Sequence, residues 1–150
     1  MLETTTQELI RQGIDRFWEC IPAAWNQVRT NLRATAALDF DISFEQFTIL
    51  RHIRRGSKSI SELADAKRIS RPAISQAVEM LVERGLISRQ QSTLDRRWVD
   101  LELTQNGNDI LNTIFQKNSE WMAEKMAELS PEELHSLLSG LEVLKKTFDN

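Results

Sequence analysis

Between Ser59 and Gly107 the chain reads SISELADAKRISRPAISQAVEMLVERGLISRQQSTLDRRWVDLELTQNG, and this stretch restricts the fold most tightly. Ser59 is an N-cap residue with Glu62 three positions later, the spacing of a capping box. Ile60, Leu63 and Ala64 give the helix it starts a buried side. Lys67 to Ser70 reads as a turn. Ser70 is a second N-cap, and Pro72 fits the first helical turn, where a missing N–H is no loss. Ile74, Ala77, Val78 and Leu81 then recur at helical spacing and form one apolar face. Gly85 stops that helix, because it takes the left-handed conformation a C-terminal cap needs. Leu86 and Ile87 begin a strand. Val99, Leu101 and Leu103 alternate with Trp98, Asp100 and Glu102, the period of a half-buried strand.

Two short capped helices, a glycine stop and two strands around a basic tip make a helix-turn-helix followed by a β-wing. Arg71, Ser75 and Gln76 sit near the start of the second helix, off its apolar stripe. Arginine reads guanine bidentately, glutamine reads adenine, and serine takes a base or a phosphate. Arg96 and Arg97 on the hairpin tip suit a narrow minor groove. Asp95 is placed to hold an arginine by a charge-assisted bond. The bland reading of these positions is a solvated helix face and a solvated loop ion pair.

These residues resemble the MarR family of winged-helix transcriptional regulators. The resemblance is carried by Ser61-Glu62-Leu63-Ala64, Ser70-Arg71-Pro72, Gly85-Leu86-Ile87, Asp95-Arg96-Arg97, and Leu103-Thr104 with Gly107. Phe44 to Leu50 is similar to the family's second-helix pattern, so roughly two-thirds of the chain takes part. Ala66-Lys67-Arg68 departs from it, since the family more often has an apolar residue before a glycine there. The resemblance implies a mainly α fold with a small β-wing, flanked by N- and C-terminal dimerisation helices. It implies a homodimer on a pseudo-palindromic double-stranded DNA operator, often a repressor released by a small molecule. By that likeness Arg71, Ser75 and Gln76 face the groove, Ser70 and Pro72 border it, and Arg97 is the wing arginine supported by Asp95.

The chain has 150 residues and a net charge of −3, which at first argues against DNA. The distribution reverses that reading. Arg51 to Arg97 carries eleven Lys/Arg against five Asp/Glu, a balance of +6, and the remainder balances at −9. A basic segment in an acidic chain is the footprint of a phosphate-binding face. Arg54, Arg55, Lys58, Lys67, Arg68 and Arg89 are the expected phosphate contacts, which position without specifying. The length fits one domain, with about 43–104 as the winged helix and about 1–40 and 105–150 as dimerisation helices. No stretch suits a membrane span, and the N-terminus lacks a secretion pattern. One cysteine excludes an intrachain disulfide, and with these features the expectation is a cytoplasmic protein.

Ile10, Ile14, Phe17, Ile21, Trp25, Val28 and Leu32 mark an amphipathic first helix. Pro22 interrupts it, and a bend or two abutting helices are expected near Ile21. Ser43 with Gln46 starts the next helix, Thr104 starts a long one, and Ser130-Pro131-Glu132-Glu133 starts the last. Leu134, Leu137, Leu138, Leu141, Leu144 and Phe148 are its stripe. These ends hold more apolar surface than one small winged helix covers, so a second copy is the expected partner. The bland alternative is a larger monomeric core.

Three further features bear on regulation. Cys20 lies on the first helix beside Glu19, a neighbour that disfavours thiolate. A buried, inert cysteine is the expectation and a peroxide- or thiol-responsive regulator the alternative. His52 and His135 have no second ligand at metal spacing, so neither a metal nor a cofactor is expected. Trp18 and Trp25, with Phe17, Trp121 and Phe115, are candidates to line a cavity between the terminal helices and the wing domain. There an aromatic or phenolic effector would sit, its carboxylate paired with Arg16, Arg29 or Arg33. No nucleophile elbow, phosphate loop or metal pair is present, which argues against an enzyme. A winged helix used to bind protein without DNA is the remaining alternative.

Overall fold

The computed structural model describes residues 2–92 and 99–149, with side chains from residue 5 onward. The elements run α1 (Leu2–Phe40), α2 (Phe44–Arg54), α3 (Ile60–Lys67), α4 (Arg71–Glu83), β1 (Ile87–Gln91), β2 (Val99–Leu103), α5 (Gln105–Met126) and α6 (Pro131–Phe148). The fold is mainly α with one small antiparallel sheet. Its centre is a winged helix-turn-helix, framed by long N- and C-terminal helices.

The capping chemistry sets most boundaries. Ser43 and Gln46 form a complete capping box on α2, as do Ser130 and Glu133 on α6. The Thr104 hydroxyl accepts from the Gly107 N–H at 3.1 Å to start α5. At α3 only half the expected box forms. The Ser59 hydroxyl accepts from the Glu62 N–H, but the Glu62 carboxylate accepts from the Lys58 N–H at 2.6 Å. Ser70 stands at the N-cap of α4 without a side-chain cap bond.

Pro22 corrects an expectation. It lies inside one continuous 39-residue α1, so of the two expectations, a bend or two abutting helices, the second does not hold. Proline removes a single backbone hydrogen bond, and the turns on both sides keep theirs. In the C-terminal half, burial of Leu32 and Ala36 holds the helix in place.

The core gathers Phe47, Ile49, Leu50 and Ile53 of α2, Leu63 and Ala64 of α3, and Ile74, Val78 and Leu81 of α4. Leu86, Ile87, Leu101, Leu111 and Ile114 close it from the sheet and α5. The strands pair with Ile87 opposite Leu103 and Arg89 opposite Leu101. The inward alternation on β2 is incomplete: Leu101 is buried while Val99 is 52% exposed, beyond the reach of the core.

Two backbone devices join α4, the sheet and α5. Gly85 takes φ +67 past the end of α4. The Thr104 hydroxyl donates to the Gly85 carbonyl at 2.6 Å, and the Thr104 N–H donates to the Leu86 carbonyl at 3.1 Å. This brings the first turn of α5 so close that a Cβ on Gly107 would stand 2.2 Å from the Leu86 oxygen.

The larger monomeric core is not what forms. Leu9, Ile10, Ile14, Trp18 and Trp25 of α1 are exposed, as are Leu138, Leu141, Val143 and Phe148 of α6. No residue of α6 is buried. Phe17 meets Phe148 with ring centroids 5.5 Å apart, so the two stripes border one groove.

Candidate nucleic-acid interface

Helix α4 turns Ile74, Val78 and Leu81 into the core. Arg71, Pro72 and Gln76 are exposed, Arg71 because it lies in the first turn beyond the core and Gln76 on the side away from the apolar stripe, with Ser75 half-buried at its edge. The Ser70 hydroxyl, unused as a cap, stands at the same end. The helix start thus offers a guanidinium, an amide, two hydroxyls and backbone N–H groups, a set that suits base edges and phosphates.

The strand leading to the wing flanks this face. On β1 the Arg89 guanidinium donates to the Glu79 carboxylate of α4 at 2.6 Å. Glu79 follows Gln76 by three residues, so the bridge lies beside the exposed stripe. A phosphate contact by Arg89 would therefore share its guanidinium with this ion pair. Asp95, Arg96 and Arg97, with Trp98, lie outside the described residues.

The other cations divide into two groups. Lys58, Arg55 and Arg68 are exposed. Arg68 holds φ +53, the left-handed position at the end of α3. This is the site where the family pattern carries a glycine, so the turn keeps its geometry despite Ala66-Lys67-Arg68. Lys67 instead donates to the Thr48 hydroxyl of α2. Arg54 donates to the Asn112 side-chain oxygen at 3.0 Å and lies 4.9 Å over the Phe115 ring. Arg54 thus links α2 to α5, a packing role that the sequence did not disclose.

Lys67 crosses a face of α2 where Thr48, Arg51, His52 and Arg55 follow one another at helical spacing. Burial pushes His52 below its ordinary value, and the positive charges of Lys67, Arg51 and Arg55 add to this. Burial also lowers Lys67, with Glu45 opposing and Arg51 assisting. Burial and Arg55 lower Arg51. Four positive or protonatable groups held against one another favour an incoming anion, because it relieves their repulsion.

The groove that the structure shows is not at the expected place between the terminal helices and the wing domain. An apolar groove of about 870 Å³ lies between α1 and α6, and Phe17, Trp18, Leu141 and Phe148 are among its walls. Among the described residues, Arg16 is its only charged lining residue. Trp25, Arg29 and Phe115 do not line it. Trp25 is farther along α1, Arg29 donates to Asn26 on its own helix at 3.3 Å, and Phe115 packs on Phe47 in the core. Cys20 is another correction: it is exposed and lies on this groove. Phe17 and Ile21 of the α1 stripe line the same groove, which nothing in one chain covers. Among the described residues no group of three His, Cys, Asp or Glu side chains is arranged for a metal, and no helix is long and apolar enough to cross a membrane.

A family model described as MarR family matches residues 40–97, which span α2 to the wing. The chain is 28% identical over 123 residues to YpoP, an HTH-type transcriptional regulator of Bacillus subtilis (strain 168). That alignment covers 81% of this chain and 86% of YpoP. Among solved structures, the transcriptional regulator Tm0710 from Thermotoga maritima superimposes with a TM-score of 0.81 at 21% identity, covering 90% of this chain and 95% of that one. A mutant of S. aureus MepR bound to an oligodeoxyribonucleotide gives 0.68 at 18% identity, covering 87% and 96%. Sequence motifs, sheet topology and these likenesses agree: residues 40–97 match the MarR family model, and the chain has the fold of winged helix-turn-helix transcriptional regulators and is similar to them in sequence.

Proposed function

We propose that two copies of the chain bind a pseudo-palindromic DNA duplex in the cytoplasm and repress transcription until a small aromatic or phenolic effector releases them. Helix α4 enters the major groove. Arg71, Ser75 and Gln76 read base edges, and Ser70 and Pro72 border the contact. Lys58, Lys67, Arg68 and Arg89 hold phosphates. The wing carries Asp95, Arg96 and Arg97 into the minor groove. Residues 43–104 do this work, and about 1–40 and 105–150 form the dimer.

The observation that carries this reading is the outward face of α4. Its polar groups are exposed at the helix start, and the strand feeding the wing is pinned beside them by Arg89 and Glu79. A bare helix face would need no such neighbour. The oligonucleotide bound to MepR, a protein of the same fold, supports the same use of it. The uncovered stripes of α1 and α6 support the dimer. The effector is carried by the family resemblance.

Selection from a random duplex pool, followed by fluorescence anisotropy across salt, tests the proposal. Affinity should fall steeply as salt rises, since phosphate contacts release counterions. Arg71→Ala or Gln76→Ala should cost about 1–3 kcal/mol and relax preference at one base position. Lys58→Ala should weaken all duplexes alike and lower the salt slope by about one. Failure to enrich any duplex defeats the proposal and leaves a protein-binding winged helix in its place.

A further inference from the structure

The far end of α4 is tied to the end of α1. Arg84 is the C-cap residue of α4. Its guanidinium donates from Nη2 to the Phe40 carbonyl at 2.6 Å and from Nη1 to the Asp41 carbonyl. Phe40 is the last residue of α1, where carbonyls have no helical N–H to accept from. A cation at that position also meets the negative end of the helix dipole. The chain reverses just beyond. Asp41 takes φ +51, its N–H donates to Ala37 at 3.1 Å, and the Ile42 N–H donates to Ala36 at 3.0 Å. From the other side the Lys117 ammonium of α5 meets the Asp39 carboxylate at 2.7 Å.

One end of α1 is thus clamped to the helix that carries Arg71 and Gln76. The other end bears the uncovered stripe of Ile10, Ile14 and Trp18. Arginine's planar fork fixes direction as well as distance, which a lysine ammonium does not.

Resting on the DNA-binding dimer above, we propose that Arg84 is a positioning residue that sets the spacing and tilt of the two α4 helices. It thereby selects which half-site separation the dimer accepts. Arg84 touches no base: it stands at the end of α4 opposite Arg71. A residue that only capped a helix would change stability and leave the choice of separation alone.

The test uses the full chain with Arg84, Arg84→Lys or Arg84→Met. For distances, Cys20→Ser and Ala73→Cys place one spin label on the exposed side of α4, and electron–electron dipolar spectroscopy reads the inter-chain separation without DNA. For binding, unlabelled protein is titrated with the selected duplex and with the same duplex carrying two extra base pairs between half-sites. Arg84 should give one narrow distance and a large penalty for the insertion. Both variants should broaden the distance and shrink the penalty about tenfold, with solution mass and helical circular dichroism unchanged. The lysine variant, which keeps the charge, guards against a loss of folding. If the dimer and the selected duplex stand but width and penalty do not move, the role of Arg84 is overturned alone. If no inter-chain distance and no duplex is found, the DNA-binding dimer fails and this proposal with it.

Discussion

A methyl group at Gly107 would collide with the Leu86 carbonyl oxygen at 2.2 Å, and backbone on both sides leaves little room to yield. Gly107→Ala should therefore lower stability by roughly 1–3 kcal/mol, the cost of overpacking a tight contact. Gly140 is the control. It lies inside α6 with nothing within 4 Å of where an added methyl would stand, so Gly140→Ala should gain about 0.5–1 kcal/mol through helix propensity. Urea unfolding of both at matched protein concentration checks the pair, and equal effects of the same sign would refute the contact. Gly107 was legible as part of a motif, but its reason was not, because Leu86 is far away in sequence. Arg84 went unread, and the link of Arg54 to α5 went unseen behind its expected phosphate contact, for the same cause: their partners lie 44 and 58 residues off. Spacing rules see only one or two helical turns. Cys20 was misjudged because apolar neighbours on a helix imply burial only when something covers them.

Helix starts were the most legible elements. Ser43, Thr104 and Ser130 cap where their side chains said they would, since a cap is a local hydrogen bond. Pro22 misled for the opposite reason. Its cost is local, but whether a helix absorbs that cost depends on its length and on packing of its far half. In α1 the proline is exposed, and Val28, Leu32 and Ala36 dock the helix beyond it. Pro22→Ala should restore the missing hydrogen bond and stabilise the protein by up to about 3 kcal/mol. Thermal unfolding measures this. A lower melting temperature would mean that proline shapes α1 in a way the dimer needs. The wing was legible as a strand pair whose register matches its alternation, yet the outward Val99 shows that the core ends before the strand does.

Across the whole molecule, charge and apolar surface are sorted to different places. The basic balance lies between Arg51 and Arg97, and the uncovered stripes lie on α1 and α6. One copy of the chain leaves this apolar surface facing water, which the second copy of the proposed dimer would cover. Leu141→Glu, which puts a charge in that stripe, should halve the mass seen by light scattering. Because two half-sites bound together reinforce each other, affinity for the two-half-site duplex should fall about a hundredfold or more. The winged helix should keep its own fold, seen as retained α-helical circular dichroism. An unchanged mass would place the interface elsewhere.

A continuous helix of 39 residues has a contour length of about 58 Å at 1.5 Å per residue. Gripped near one tip, it behaves as a lever: each degree of swing carries the opposite tip about 1 Å sideways. Under the proposed DNA-binding mode, a few degrees therefore correspond to about the rise of one base pair, 3.4 Å. Nothing along the arm need bend or unfold for a small event at one tip to be felt as a whole base step at the other.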